Sequence, residues 1–311
     1  MSASSLPSLV AQELTLPVDP RVERMATAIA GQYGAAARAV LFYGSCLRST
    51  ELDGQMLDFY LIVSSYKAAY GKSWLATANR LVPPNVFPFG HEGLVAKYAV
   101  LSEDDFFQLN GPKSLSVSVW ARFAQPSRLV WQADARAAQL CIGAVSRAAP
   151  TLLEAARPMM PEDRLADPLE LWREAFRLTY QSELRAERQG RAALVVDADP
   201  GRYRRFTGPV LEAASIGRLL PDETAMLEPV TEQQLARAGA LWARRRRTGK
   251  ALSVLRLAKA SGTYAGGLDY LAWKVNRHAG TRIEIKPWQR RWPLLGALTL
   301  LPRLLKRGAI G

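Results

Sequence analysis

Short apolar runs, set apart by polar stretches rich in Gly and Pro, mark the first half of the chain. Residues 39–43 (AVLFY) lead into Gly44-Ser45, the pattern of a buried strand entering a turn. Residues 57–63 (LDFYLIV) predict the next strand, and the polar RSTELDG between the two runs connects them. A third strand is expected over 94–101 (LVAKYAVL). The Ala-rich 21–37 and the segment 66–81 suit helices. Residues 83–90 (PPNVFPFG) predict an extended loop, because each Pro biases its predecessor away from helix. Ser102, followed by Glu103, Asp104 and Asp105, is a favourable start for a short helix. Residues 117–131 form another apolar stretch, broken at Pro126. Residues 1–20, punctuated by Pro7, Pro17 and Pro20, predict a loose leader.

From about residue 133 the pattern turns helical. Asp167-Pro168-x-Glu170 has the form of a capping box with Pro at the first helical position, and the helix it opens is expected to run to Gly190. Another helix is expected over 231–248, ending in Arg244–Arg247, and a segment over 250–278 follows. The chain shows no internal repeat. Its expected division is a leader at 1–20, an α+β domain at 21–150, a helical domain at 151–260 and a basic amphipathic segment at 261–311.

Composition sharpens this outline. The 311 residues are 49% hydrophobic, enough to bury a core and to exclude wholesale disorder. Two cysteines, Cys46 and Cys141, make no disulfide framework and fit a reducing compartment. Two distant histidines, His91 and His278, exclude a Cys/His zinc cluster. The N-terminus lacks a basic region and a long apolar core, so a secretory signal is not expected.

The 41 Lys and Arg outnumber the 28 Asp and Glu, giving a net charge of +13. That excess is concentrated. Residues 237–311 hold 17 Lys/Arg and two acidic residues, a net +15, which leaves −2 for residues 1–236. Within this quarter, 292–302 (WPLLGALTLLP) is uncharged and too short to span a bilayer, and Arg290, Arg291, Arg303, Lys306 and Arg307 flank it. Trp and Leu bracketed by cations is the composition of a segment lying in the plane of an anionic membrane surface. Packing in a core ranks second. Binding of nucleic acid ranks third, because it does not need a Leu/Trp stripe.

The candidate chemistry lies in the first half. Gly44-Ser45 after one strand is followed on the next by Asp58, an acidic residue inside an apolar run. A buried carboxylate needs a partner or a cation, so Asp58 is a site candidate on physical grounds. A Gly-Ser turn with an acidic residue on the following strand resembles the nucleotidyltransferase superfamily of the polymerase-β type. In that arrangement Gly lets the backbone approach a triphosphate and Ser offers a hydroxyl and an N–H to it. The superfamily mostly carries two carboxylates two residues apart, and here the second place is Tyr60. A metal would then need another ligand, with Asp53, Glu92 or substrate phosphates as candidates.

A narrower family matches that departure. YGSC (43–46), MLDF (56–59), NVFPF (85–89), AKYAVLS (96–102) and ARFAQPSRLV (121–130) resemble, in order and spacing, segments of the mitochondrial-matrix type of CDP-diacylglycerol synthase, the translocator assembly and maintenance family. The likeness covers about residues 40–131. Cys46 and Ala99 stand where the family has Gly, and Gln125 where it has Lys.

The resemblance implies a polymerase-β-like nucleotidyltransferase domain, a mixed sheet with flanking helices, followed by a mainly helical domain. It implies a phosphatidate cytidylyltransferase, with CTP and phosphatidic acid as substrates and Mg²⁺ as cofactor. Gly44 and Ser45 would cradle phosphates and Asp58 would hold the metal. Lys97 and Arg122 would neutralise the triphosphate. From the residues alone, Lys97 is equally an edge-strand lysine reaching solvent, and Arg122 equally a salt-bridge partner.

Tyr60 and Tyr98 are expected to pack, as are Trp74, Trp120 and Trp131. His91 reads as a loop residue. Cys46 has no His or Asp partner in sight for a nucleophile's role. The expected location is the cytoplasm, at the inner face of the membrane. Transfer to another acceptor (RNA, protein or a small molecule) and a non-catalytic nucleotide-binding scaffold remain as alternatives.

Overall fold

The computed structural model describes residues 5–49, 51–161, 164–182 and 191–263. The basic amphipathic segment expected over 261–311 lies outside them but for its first three residues. Helix α1 (Leu6–Leu14) precedes α2 (Pro20–Gly31), β1 (Ala37–Tyr43) and the short α3 (Ser45–Ser49). Strand β2 (Met56–Val63) leads through α4 (Tyr66–Ala69) and α5 (Ser73–Leu81) to the hairpin β3 (Asn85–His91) and β4 (Leu94–Ser102). Then come α6 (Glu103–Leu109), α7 (Trp120–Phe123), β5 (Ser127–Gln132), α8 (Ala135–Val145) and α9 (Ala148–Ala156). The second half holds β6 (Leu165–Ala166), α10 (Pro168–Tyr180), α11 (Arg191–Asp197), α12 (Pro200–Ala214), β7 (Gly217–Leu219), β8 (Ala225–Leu227) and α13 (Glu232–Thr263).

Five strands form one mixed sheet in the order β3-β4-β2-β1-β5. Strands β2 and β4 are parallel, and the other pairs are antiparallel. A small second sheet, β6-β8-β7, sits within the otherwise helical half. The large sheet is buried on both faces. On one face Val40, Phe42, Leu57, Phe59, Leu61, Tyr98 and Val100 pack against Val22, Met25, Ala26 and Ile29 of α2. On the other, Leu41, Tyr60, Ile62, Ala99 and Leu101 join a core that continues through α9, α10 and α12 to Trp242 of α13. Strands covered on both sides read as continuous apolar runs, which is why β1, β2 and β4 are visible in the sequence. The boundary expected at 150 falls inside α9, and no break in this second core marks it.

Several expectations are corrected. The leader is not loose. Pro7 fits the first turn of α1, Ser5 caps it, and Leu6, Leu9, Val10 and Leu14 are buried along one stripe. Residues 83–90 do not form a loop: most of them belong to β3, an edge strand, where Pro88 removes no ladder bond from a second neighbour. The helix expected over 66–81 is two helices, interrupted around Gly71. Trp74 is not a core residue but is 52% exposed on α5. Helix α10 ends at Tyr180, and residues 183–190 lie outside the described ones. Conversely, α13 runs well past 248, for 32 residues. Among the described residues no helix is long and apolar enough to cross a membrane.

One buried ion pair holds α1 in place. Arg202 of α12 donates through Nε to Glu13 Oε2 and through Nη2 to Oε1 at 3.0 Å, and its Nη1 reaches the Ala124 carbonyl at 3.0 Å. Both side chains are nearly inaccessible to water. Removing one partner leaves the other charge buried without compensation, which costs about 3–5 kcal/mol. Glu13→Ala is therefore expected to lower the stability of the chain by about that amount in urea unfolding. An unchanged midpoint would show that the pair contributes no net stability.

Candidate functional site

The register of the sheet builds the site. Tyr43, the last residue of β1, lies opposite Asp58 of β2, and Asp58 lies opposite Lys97 of the parallel β4. Period-2 geometry then puts Tyr43, Asp58 and Lys97 on the sheet face that carries Tyr60 and Ile62, away from α2. Lys97 Nζ is 3.0 Å from Asp58 Oδ1, and neither side chain is fully exposed (34% and 18%). That Oδ1 is buried and receives no hydrogen bond of good geometry, so the Lys97 contact is an ion pair at hydrogen-bond distance but off the bonding direction.

Gly44 turns the chain immediately after Tyr43 with φ of +96°, a region open to glycine. A Cβ placed there would lie 3.0 Å from Asp58 Oδ2. The turn and the carboxylate are thus in close approach: the dihedral favours Gly, and a Cβ would fit only if the Asp58 side chain shifted. Ser45 begins α3, exposed to solvent.

Arg122 reaches the same place from α7. Its Nη1 donates to the Ser118 carbonyl and, at 2.6 Å, to the Ser118 hydroxyl. Burial pushes the Tyr43 phenol well above its usual range, the Asp58 and Tyr60 neighbours add to this, and Arg122 opposes it. Tyr43 is therefore the link between Asp58 and Arg122, a role the sequence did not suggest beyond its place before Gly44.

The sequence-predicted residues Gly44, Ser45, Asp58, Lys97 and Arg122 accordingly converge on one end of the sheet. Two cations of α13 bind the chain just before β3, at the end of the strand that pairs with Val100 and not at the Lys97 end. Arg256 Nη2 donates to Ser116 Oγ at 3.2 Å, in the same loop that holds Arg122, and its Nε to the Pro83 carbonyl at 2.8 Å. Lys259 donates to the carbonyls of Val82 and, at 2.8 Å, Pro84. Burial, then Arg256, pulls the Lys259 ammonium down to about 7. Nothing in the local sequence of α13 separates these two from its other basic residues.

Other candidates fall elsewhere. Asp53 is 82% exposed and pairs with Arg21 at 2.9 Å; Glu92 pairs with Arg24 at 2.8 Å. Both arginines belong to α2, which covers the opposite face, so neither acid joins Asp58 as a second ligand. Tyr60 packs between Tyr43 and Phe123, with ring centroids 5.3 and 5.1 Å away. The place of a second carboxylate is thus filled by an aromatic cluster. Tyr98 is on the α2 face, hydrogen-bonded to Gln32 at 3.0 Å. Cys46 donates to the Met56 carbonyl at 3.6 Å, and burial, then Asp58, pushes its thiol up, which removes thiolate character.

Among the described residues no cluster of three or more His, Cys, Asp or Glu is assembled. The donor set here is one carboxylate whose Oδ1 lacks an aligned donor. It fits a hard cation that takes its remaining oxygen ligands from phosphates and water, as Mg²⁺ does, and it does not make a self-sufficient protein cage. No family model matches the chain, and no curated protein matches it either.

Gly44→Ala introduces both a strained dihedral and a methyl against Asp58, a cost of about 1–3 kcal/mol. Gly31→Ala, whose Cβ would meet nothing within 4 Å, is the control. Thermal unfolding is expected to show a lowered midpoint for the first and none for the second. Equal shifts would remove the steric constraint at Gly44.

Proposed function

We propose that the protein is a polymerase-β-like nucleotidyltransferase that moves CMP from CTP to phosphatidic acid, releasing pyrophosphate, at the cytoplasmic face of a membrane. One arrangement carries this reading: a Gly44-Ser45 turn in close approach to a single partly buried carboxylate, Asp58, with Lys97 at 3.0 Å and Arg122 beside the adjoining Tyr43. Gly44 lets the backbone approach the triphosphate, and Ser45 gives it a hydroxyl and an N–H. Lys97 is held by Asp58 where one charge can be shared between carboxylate and phosphate. Arg122, anchored on Ser118 and beside Tyr43, brings a positive charge towards phosphate oxygens. Asp58 would hold Mg²⁺, which would supply charge neutralisation to the triphosphate.

The acceptor chemistry agrees with a site poor in carboxylates. An alcohol acceptor must lose a proton during attack, and a second carboxylate helps. A phosphate monoester has a second pKa of about 6 and attacks through an oxygen that is already ionised. No general base is then needed, and the work is positioning and charge neutralisation. Tyr60, in the place of a second acid, is compatible with such an acceptor. It is equally compatible with a nucleotide-binding scaffold that does no chemistry, which is the second reading.

Incubation with each labelled NTP, with and without phosphatidate vesicles, tests the proposal. CTP-dependent pyrophosphate release only with phosphatidate is expected. Release with another acceptor would reassign the substrate, and binding without turnover would favour the scaffold. Asp58→Ala is expected to abolish release, and Lys97→Ala to lower it roughly 10²–10³-fold. Full turnover in Asp58→Ala would sink the mechanism.

The membrane address rests on the composition of the C-terminal segment. Deleting residues 288–311 is expected to reduce sedimentation with anionic vesicles. Undiminished binding of the truncated chain would place the contact elsewhere.

A further inference from the structure

Arg122 stands on little local structure. Its helix, α7, is a single turn of four residues, and residues 110–119 before it form neither helix nor strand. Its Nη1 is held by Ser118, through the carbonyl and, at 2.6 Å, the hydroxyl. Where Arg122 sits therefore depends on what fixes Ser118.

Ser118 is tied to Ser116, and Ser116 is tied to the far end of the chain. The Ser118 N–H donates to Ser116 Oγ at 3.4 Å, a long bond that holds the loop only weakly by itself. The same oxygen receives Nη2 of Arg256, from α13, at 3.2 Å. A hydroxyl oxygen has two lone pairs and can accept both donors at once. Arg256 Nε donates in turn to the Pro83 carbonyl at 2.8 Å. A planar guanidinium that reaches two acceptors sets the distance between them, which a single ammonium on a flexible stem does not. Arg256 thus ties the loop before α7 to the chain entering β3, the edge of the sheet whose inner strands carry Asp58 and Lys97.

We propose that Arg256 is a positioning residue for the nucleotidyl transfer proposed above. It fixes Ser116, and through it Ser118, so that Arg122 is held beside Tyr43 where the triphosphate is received. The role rests on the nucleotidyltransferase reading. Arg256 exerts it from the Val100 end of β3, by holding a loop.

Two measurements on the full chain test this role. The first is turnover of CTP with phosphatidate vesicles. Arg256→Ala and Ser116→Ala are each expected to lower kcat/KM for CTP roughly 3–30-fold. Neither is expected to add a loss to that of Arg122→Ala, because both act through Arg122. Arg256→Lys keeps the charge without the fork and is expected not to restore turnover. Lys259→Met removes the neighbouring anchor on Val82 and Pro84, leaves Ser116 alone, and is expected to keep full turnover. The second measurement is hydrogen exchange over residues 114–123 without ligand, read by mass spectrometry. Exchange is expected to quicken in Arg256→Ala and Ser116→Ala and to stay unchanged in Lys259→Met.

The role is overturned by full turnover in Arg256→Ala or Arg256→Lys, by losses that add to that of Arg122→Ala, or by unaltered exchange in Arg256→Ala. An equal loss in Lys259→Met also overturns it, since α13 would then act only by packing. A wild-type chain without CTP turnover overturns the nucleotidyltransferase reading and this role together, whereas turnover in the wild type with any of the preceding results overturns the role alone. Should Arg256→Ala fail to fold, Ser116→Ala, which removes only the shared oxygen, carries the same comparisons.

Discussion

A sheet buried on both faces leaves its charged residues little access to water, and much of this structure follows from that constraint. Asp58 sits on a strand whose other residues from Leu57 to Val63 are apolar or aromatic and buried. Its charge is tolerated because it lies near the open end of the strand, because Lys97 stands beside it on the neighbouring β4, and because the chain leaving β1 turns at Gly44, which has no side chain. Each of these three conditions also suits a polyanion at that spot: partial access, a cation held in place, and a bare backbone. The conditions that keep a carboxylate charged in the sheet and those that would receive a triphosphate are thus largely the same.

The arginines of the core follow a different rule. Several donate to uncharged oxygens: Arg122 to Ser118, Arg256 to Ser116 and Pro83, and Arg157 to Glu228 and Pro161 carbonyls. Backbone carbonyls satisfy donors but do not neutralise charge, so Arg157 retains an attraction for anions that a salt bridge would quench. Glu13 and Arg202 show the contrasting case, in which a carboxylate takes both ends of the fork.

Much of the first half was legible from the chain because apolar runs of five to nine residues are what doubly covered strands require. Asp58 stood out as an exception to its own run. Its pairing with Lys97 was not legible. Strand β4 is the neighbour of β2, although β3 comes between them in sequence, and only the assembled order puts the two residues side by side. Strand β3 itself was hidden by Pro83, Pro84 and Pro88, which an edge position tolerates. Helix α1 was hidden for a related reason, since Pro7 looks like a breaker until its place in a first turn is known. Arg256 and Lys259 had no local signature, because their partners lie more than 130 residues away.

The bond between Glu13 and Arg202 joins residues 189 positions apart. On the ribosome, α1 is made well before α8, β5 and α12, against which it packs. At ~5–20 residues per second, the stretch from Glu13 to Arg202 takes roughly 10–40 s to synthesise. For the first part of that interval, until β5 and α8 are made, the apolar stripe of α1 lacks these surfaces, and its ion pair with Arg202 waits for α12. The chain therefore carries α1 with one side unclosed until α12 emerges, and that corner of the fold is completed only from its second half.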